Sequence, residues 1–496
     1  MPAVVDCDRT GPAVVGTAEV HETHSAYVFL LGDVAYKMKK PIETDFLDFR
    51  TVDSRWTACD REFVLNSRFA PDVYIGIAEL TDPGGGPAEP LLKMRRLPDS
   101  TRLSTRAAAG DDIGTVVDLV AQTVAIAHRN SPRSTRIVDE GRQSALNERW
   151  RNNIRELHTL ALGVLDTALV DELEYRSLRY VAGRAALFDH RISRGRIVDG
   201  HGDLLSDDIF CLPDGPRILD CLDFDDRLRF LDGIDDVACL AMDLEFQGRP
   251  DASRRFVASY LEATEDDPPC SLIDHYIAYR ATVRAKVACL RFHQGHSASQ
   301  TDALAHMRLA LDHLASSAIT ITLVGGLPGT GKSTVAAALA ERTGAVVLSS
   351  DVVRKESAGL DPRSPHPSAV GCGLYTPEKT ASTYAELMHR AREQVGMGRS
   401  VVIDASWNDE KSREHALELA AGTHSDLVEL ECRTPEHVAL ERIATRPRGA
   451  SDASQAVYDA MAGARRPWPS ATVIDTSGTI ADSLAAVFPA FEETMT

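Results

Sequence analysis

Two short stretches of this 496-residue chain hold residue types at spacings that could move a phosphoryl group. In GGLPGTGKST, the run from Gly326 to Ser333 fits the pattern GxxxxGK[ST]. Glycines there free backbone N–H groups to wrap a phosphate chain, and the start of a following helix adds a favourable dipole. Lys332 reaches the terminal phosphates and Ser333 offers oxygen to Mg2+. Gly326, Gly329, Thr330, Gly331, Lys332, Ser333 and Thr334 are the expected nucleotide-binding residues. The second stretch, HGDLLSDDIF, holds Asp203 and Asp208, and Asp223 follows further on. Phosphoryl transfer asks for a carboxylate beside the acceptor hydroxyl and for oxygen ligands to Mg2+ bridging the phosphates, and one loop plus the next strand can supply all three.

Each stretch needs elements to position it. From residue 318 to 496, β-branched runs alternate with helical patterns: AITITLVGG, AVVLSSD, SVVIDAS, LVELEC and ATVIDTS, with helices opening at Lys332 and near Pro377. Such alternation implies a parallel sheet with helices on both faces, whose ligands bind beyond the carboxyl ends of the strands. Asp351, trailed by Arg354, and Asp404 end two of these strands and can face the phosphates; a helix N-cap is the alternative for either. Arg442 and Arg446 sit one helical turn apart, suited to clamping a phosphoryl group in flight or simply to a solvated face. Residues 357–376 read as a long loop.

Before residue 318 the pattern differs. SAYVFLLGD and VAYKMKKP read as a hairpin, RWTACDREFVLNSRF as a helix, and VYIGIAEL and LLKMRRLP as two more strands. Residues 1–97 therefore form a small β-rich lobe, and 98–315 a helical lobe interrupted by a strand pair around HGDLLSDDIFCLPDGPRILDCLDF. In RILDCLDF, alternation puts Asp220 and Asp223 on opposite sides of a strand. The helix YIAYRATVRAKVACLRFHQ carries Arg280, Arg284, Lys286 and Arg291, and is read as an exposed basic face in preference to the lining of a pocket for an anionic substrate.

On GGLPGTGKST, SSDVVRKE, VVIDASWN and the arginine-bearing segment, residues 318–496 resemble P-loop kinases of the polynucleotide 5′-hydroxyl kinase, zeta-toxin and gluconate-kinase type. That resemblance implies Asp351 as the base near the acceptor hydroxyl and Arg354 as its holder. On HGD, VAYK and their surroundings, residues 20–300 resemble the aminoglycoside phosphotransferase family, with its two-lobed kinase-like fold. It implies Asp203 as catalytic base, His201 as a brace for the loop, Lys37 paired with Glu62 on the phosphates, and Met94 near the hinge. Lys39, on the same strand face as Lys37, is the alternative. Asp208 and Asp223 take the metal-binding roles, with Asp220 and Asp225 as rivals to Asp223. The sequence departs from this family in carrying Asp208 where an asparagine is usual, and in lacking a GxGxxG loop.

Composition narrows the classes. A net charge of −19 speaks against general binding to nucleic acid or an anionic membrane; after Ala318, 17 Lys and Arg stand against 23 Asp and Glu, leaving −6 there and −13 before it. No apolar run is long enough to span a bilayer, MPAVVDCDRT is no signal peptide, and nine cysteines without CxxC pairs read as reduced thiols. The expectation is a cytoplasmic, ATP- and Mg2+-dependent phosphotransferase with two kinase-like domains acting on small-molecule hydroxyl acceptors; a nucleic-acid 5′ end is the less favoured acceptor. A sensing, inert N-terminal domain beside one P-loop kinase is the alternative.

Overall fold

A computed structural model describes residues 18–23, 25–44, 47–362, 373–445 and 453–495. The chain forms two compact units, one drawn from Met1–Thr167, Arg191–Pro268 and Tyr276–Ala310, the other from Ala168–His190, Pro269–His275 and Leu311–Thr496.

In the first unit, five antiparallel strands stand in the order Glu19–Glu22, Ala26–Leu31, Val34–Lys39, Glu89–Arg95, Tyr74–Leu80. The tight turn between the second and third is possible because Gly32 takes φ +58°, a region glycine enters without cost. Helix Val52–Asn66 begins where Thr51 accepts a hydrogen bond from the Ser54 amide, and it buries Cys59, Glu62 and Leu65. Because side chains alternate along a strand, Lys37 and Lys39 share one face and both reach this helix. The rest of the unit is mostly helical, with Gly114–Asn130, Gly233–Phe246 and Pro250–Thr264 packed together. Two short ladders interrupt it: Ile209–Leu212 with Gly215–Ile218, and Ile197–Asp199 with Phe230–Asp232. The architecture is α+β and two-lobed, with a β-rich small lobe and a helical large one.

The second unit is α/β. Its five strands are parallel, ordered Val346–Ser349, Val401–Asp404, Thr320–Gly325, Asp426–Arg433, Thr472–Asp475. Val324, Leu339, Val402, Leu430 and Ile474 are buried together between the central strands and helix Lys332–Thr343. Burial of this kind is worth about 1.5–3 kcal/mol per large aliphatic side chain, which is why these strands read as continuous apolar runs. Segments 168–190 and 269–275, which lie inside the 98–315 stretch of the sequence, pack in this unit. Arg179 is ion-paired with Asp426, Arg184 donates to the Thr423 carbonyl at 2.9 Å, and Ser271 donates to the Gly398 carbonyl at 2.7 Å.

Two buried imidazoles make the fold acid-sensitive. His275 stacks on Tyr180 with ring centroids 4.3 Å apart, and burial pushes it down to about 3. His306 stacks on Phe246 at 3.8 Å, and burial with the nearby Arg284 charge brings it to about 4. Unfolded, both would take up a proton near pH 6.5, so the unfolded state binds more protons below that pH and stability falls as the pH drops from 6.5 towards 4, by ~1.4 kcal/mol per ring per pH unit at most. Urea unfolding across this range should show the decline, and His275→Phe should flatten it.

Candidate functional site

Strand Thr320–Gly325 ends directly at the phosphate loop. Gly326, Gly329 and Gly331 adopt φ of +132°, +77° and +84°, and a Cβ on Gly326 or Gly329 would sit 2.4 Å from the Cys432 or Ala439 carbonyl oxygen. Only glycine fits such a cradle. The loop is pinned from outside by Thr476, whose hydroxyl donates to the Thr330 carbonyl at 2.6 Å. Lys332 opens its helix and donates to the Leu327 carbonyl at 2.9 Å, folding the ammonium over the loop. The Ser333 hydroxyl donates to Asp404 at 2.6 Å. Parallel pairing of Val324 with Asp404 explains this meeting, since it brings the ends of the two strands level. Burial raises the Asp404 carboxyl, and Lys332 and Ser333 oppose that rise. Two hard oxygens side by side, one on a carboxylate short of positive charge, fit Mg2+, which keeps several waters and asks for few protein ligands.

Asp351, Arg354 and Arg442 line the same cleft of about 770 Å3 as Lys332, Ser333 and Asp404. Asp351 and Arg354 lie in a short helix, Ser350–Ser357, whose N-cap is Ser349, so Asp351 sits in its first turn and not at the N-cap position considered as its alternative role. Its i,i+3 geometry lets Arg354 donate to Asp351 at 2.8 Å, and the guanidinium also lies over the Tyr375 ring at 4.6 Å. Arg442 donates to the Thr476 carbonyl at 2.8 Å. Arg446 lies outside the described residues, as do residues 363–372 of the 357–376 loop. On the far wall, Tyr384 hydrogen-bonds Ser406 at 3.1 Å and accepts from the Trp407 amide at 3.2 Å.

The HGD loop of the first unit gathers a second set. Lys37 lies 2.8 Å from Glu62 and 2.9 Å from Asp220, whereas Lys39 lies 2.6 Å from Glu62 and 3.0 Å from Asp223. Burial works against the Lys37 charge, but Asp220 and Glu62 outweigh it and raise its pKa well above the lysine range. Asp208 is pushed far above the carboxylate range by burial and by the Asp220 charge. Asp220, rather than Asp223, therefore stands with Asp208 and Lys37. The reason is local: the strand ends at Ile218 and Asp220 takes φ +61°, so the alternation expected of RILDCLDF does not hold and both aspartates turn to the lysines. Asp225 instead caps a short turn, accepting from the Arg227 amide. Two oxygen ligands, Asp208 and Asp220, with an acid kept from ionising by its neighbour, fit a divalent cation here too. Met94 lies on strand Glu89–Arg95 and packs on a small core of Ala70, Val73, Tyr74 and Leu92.

His201 is fully buried; its Nε2 donates to the Leu219 carbonyl at 2.9 Å, and burial lowers its pKa, so the ring is neutral. The loop backbone is held by a residue that sequence reasoning missed. Asp236, at 0% exposure, accepts from the His201 and Gly202 amides at 2.7 and 2.8 Å and is 2.9 Å from His128 Nε2. Burial opposes this carboxylate, yet His128 and the loop hold its pKa far below the usual range. The only sequence signal was a pair of adjacent acids, Asp235 and Asp236, ahead of the apolar run VACLAM in the same helix. Arg280 and Arg284, read as part of an exposed face, both turn to the loop: Arg280 donates to the Gly202 carbonyl at 2.7 Å, and Arg284 is ion-paired with Asp203.

The profile of a family described as an AAA domain matches residues 321–468. The uncharacterized protein Rv2004c of Mycobacterium tuberculosis is 45% identical over 460 residues, covering 93% of this chain and 92% of its own. The chain belongs to the Rv2004c family. The uncharacterized protein Mb2027c of Mycobacterium bovis is likewise 45% identical to this chain over 460 residues, covering 93% of this chain and 92% of its own. Among solved structures, a choline/ethanolamine kinase family protein from Mesorhizobium loti aligns with 62% of this Rv2004c-family chain and 94% of its own, at 12% identity and a TM-score of 0.38. A gluconokinase from Sinorhizobium meliloti aligns with 35% and 92%, at 17% identity and a TM-score of 0.27. No described helix is long and apolar enough to cross a membrane.

Two substitutions test the geometry. Gly329→Ala should abolish the stabilisation of the second unit by MgATP in thermal unfolding and cost about 1–3 kcal/mol without ligand, since it strains both φ and the Ala439 contact. Because the Asp208 pKa is raised, this carboxyl withholds stability as the pH climbs through its folded value. Asp208→Asn should therefore stabilise the first unit in urea titrations, and more at pH 8 than at pH 5.

Proposed function

We infer that the chain is an ATP- and Mg2+-dependent phosphotransferase with two sites, each passing the γ-phosphate of ATP to the hydroxyl of a small molecule. The observation that carries this reading is the single cleft holding a glycine cradle, Lys332, the Ser333–Asp404 pair and the Asp351–Arg354 pair. A nucleotide phosphate chain would lie on the loop amides, with Lys332 swinging from the Leu327 carbonyl to its terminal oxygens. Ser333 and Asp404 would hold Mg2+, which supplies charge neutralisation at the phosphates. Asp351 would take the proton of the acceptor hydroxyl while Arg354 fixes its carboxylate, and Arg442 would face the charge that develops on the phosphoryl group. In the first unit, Lys37, held by Glu62, would orient the phosphates, Asp208 and Asp220 would bind the metal, and Asp203 would act as base.

Small alcohols are favoured over a nucleic-acid 5′ end because the P-loop half carries net negative charge. A cytoplasmic location follows from the need for ATP. A second reading, in which the first unit binds nucleotide without transferring phosphate, is favoured by two observations: Asp208 stands where an asparagine is usual, and Arg284 already occupies Asp203. Full-length Lys332→Ala and Asp203→Ala variants decide between them. Under the two-site reading each should remove a separate part of MgATP turnover, by about 100-fold or more for the site affected, and the double variant all of it. Turnover that is lost entirely in Lys332→Ala and intact in Asp203→Ala would favour the sensor.

A further inference from the structure

Helix Cys270–His293 lays two arginines on the HGD loop, and their surroundings differ. Arg280 is 7% exposed and fully engaged: it donates to Asp235 at 2.7 Å and to the Gly202 carbonyl at 2.7 Å, so it belongs to the scaffold. Arg284, one turn further, has Asp203 as its one hydrogen-bonding partner among the described residues. The pair is open to solvent on one side, at 21% and 38% side-chain exposure. Arg291 stands two turns beyond Arg284 on the same face and adds its positive charge there. His306, beside them, is neutral for the reason given above.

A carboxylate locked to a guanidinium is a poor proton acceptor, because the opposite charge favours its ionised, unprotonated form. For Asp203 to act as a base, something must draw Arg284 away. A cationic alcohol would be repelled by Arg284 and Arg291, and a neutral one would leave the pair closed. An anion does what is needed, since guanidinium forks bind phosphate and carboxylate with two parallel hydrogen bonds.

We propose that Arg284 selects an anionic acceptor: the first unit phosphorylates an alcohol bearing a compact phosphate or carboxylate group, and that group takes Arg284 from Asp203. The proposal rests on the first unit being a phosphotransferase. In the step, the acceptor hydroxyl yields its proton to Asp203 and its oxygen bonds to the γ-phosphorus of a nucleoside triphosphate. The bond from that phosphorus to the β–γ bridging oxygen breaks, and the nucleoside diphosphate leaves with the electron pair.

The test uses the full chain carrying Lys332→Ala, so that the P-loop is silent, with four probes of one skeleton: glycerol 3-phosphate, glycerate, glycerol and 3-amino-1,2-propanediol. Calorimetric binding and transfer of labelled phosphate from MgATP are both read. At least one anionic probe should bind ten-fold or more tighter than glycerol, with the amine weakest, and the phosphate and carboxylate arms identify the anion. Arg284→Met should erase this ranking, Arg284→Lys should keep part of it, and nucleotide binding should be unchanged in both. Equal binding across the four probes, or a preference for the amine, overturns the proposal. So does an Arg284→Met variant that lowers kcat equally for every probe while KM keeps its order, because Arg284 would then act on the phosphoryl group. Anion-selective binding that depends on Arg284, without transfer to any probe, supports the anion site and overturns the phosphotransferase reading of the unit.

Discussion

A charge taken out of water must find its partners inside the protein, and Asp236 is where this constraint is met most completely. Its carboxylate has no exposure and collects two backbone amides and an imidazole. Losing one partner of such a set costs about 3–5 kcal/mol, so the amides of His201 and Gly202 have one place to be. Everything that converges on Asp203 is built outward from that point. His201 turns its ring to Leu219, Arg280 reaches the Gly202 carbonyl, and Tyr260 supports His128 from behind at 2.8 Å. Reactive carboxylates on a surface loop would be free to wander; here a non-reacting one underneath removes that freedom.

Under the proposed function, the two units would meet the same demand, that of holding a chain of phosphates, with different materials. In the second unit the donors are backbone amides at three glycines, which need no side chain and suffer no rotamer entropy. In the first unit the means are Lys37 and Glu62, fixed by strand alternation and by a helix laid across the strand. The glycine solution is rigid and depends on empty space, so a single methyl group disturbs it. The lysine solution depends on a network of charges, so its weak points are electrostatic, and Asp208 is the clearest of them.

Much of the fold was legible in the sequence because period and punctuation agree there. The β-branched runs and the glycine-rich turn of GGLPGTGKST gave the parallel sheet, and the Gly32 turn between two alternating runs gave the hairpin. Strands Ile197–Asp199 and Phe230–Asp232, three residues each, were too short to carry a period. The motif residues of the sites could be named, and Glu62 as the partner of Lys37 with them, but most of the other partners could not. Nothing in RILDCLDF announces that Asp220 leaves the strand with positive φ, which is what sends it to Lys37. Arginines at helical spacing look alike whether they face water or a loop, and only tertiary packing turned Arg280 and Arg284 inward. Asp236 was hidden for the same reason, since a buried carboxylate is recognisable only by what it binds.

The interleaving of segments has a consequence for how the protein is made. Residues 168–190 are synthesised early, yet Thr423 and Asp426, which Arg184 and Arg179 bind, come much later. At roughly 5–20 residues per second, those arginines wait on the order of ten to fifty seconds for these partners, whereas Tyr180 meets Ser271 sooner. During that interval Arg179 and Arg184 stand without the partners they take in the second unit. The boundary near residue 316 is thus a boundary of sequence pattern, while the order of translation makes the second unit depend on chain laid down well before it.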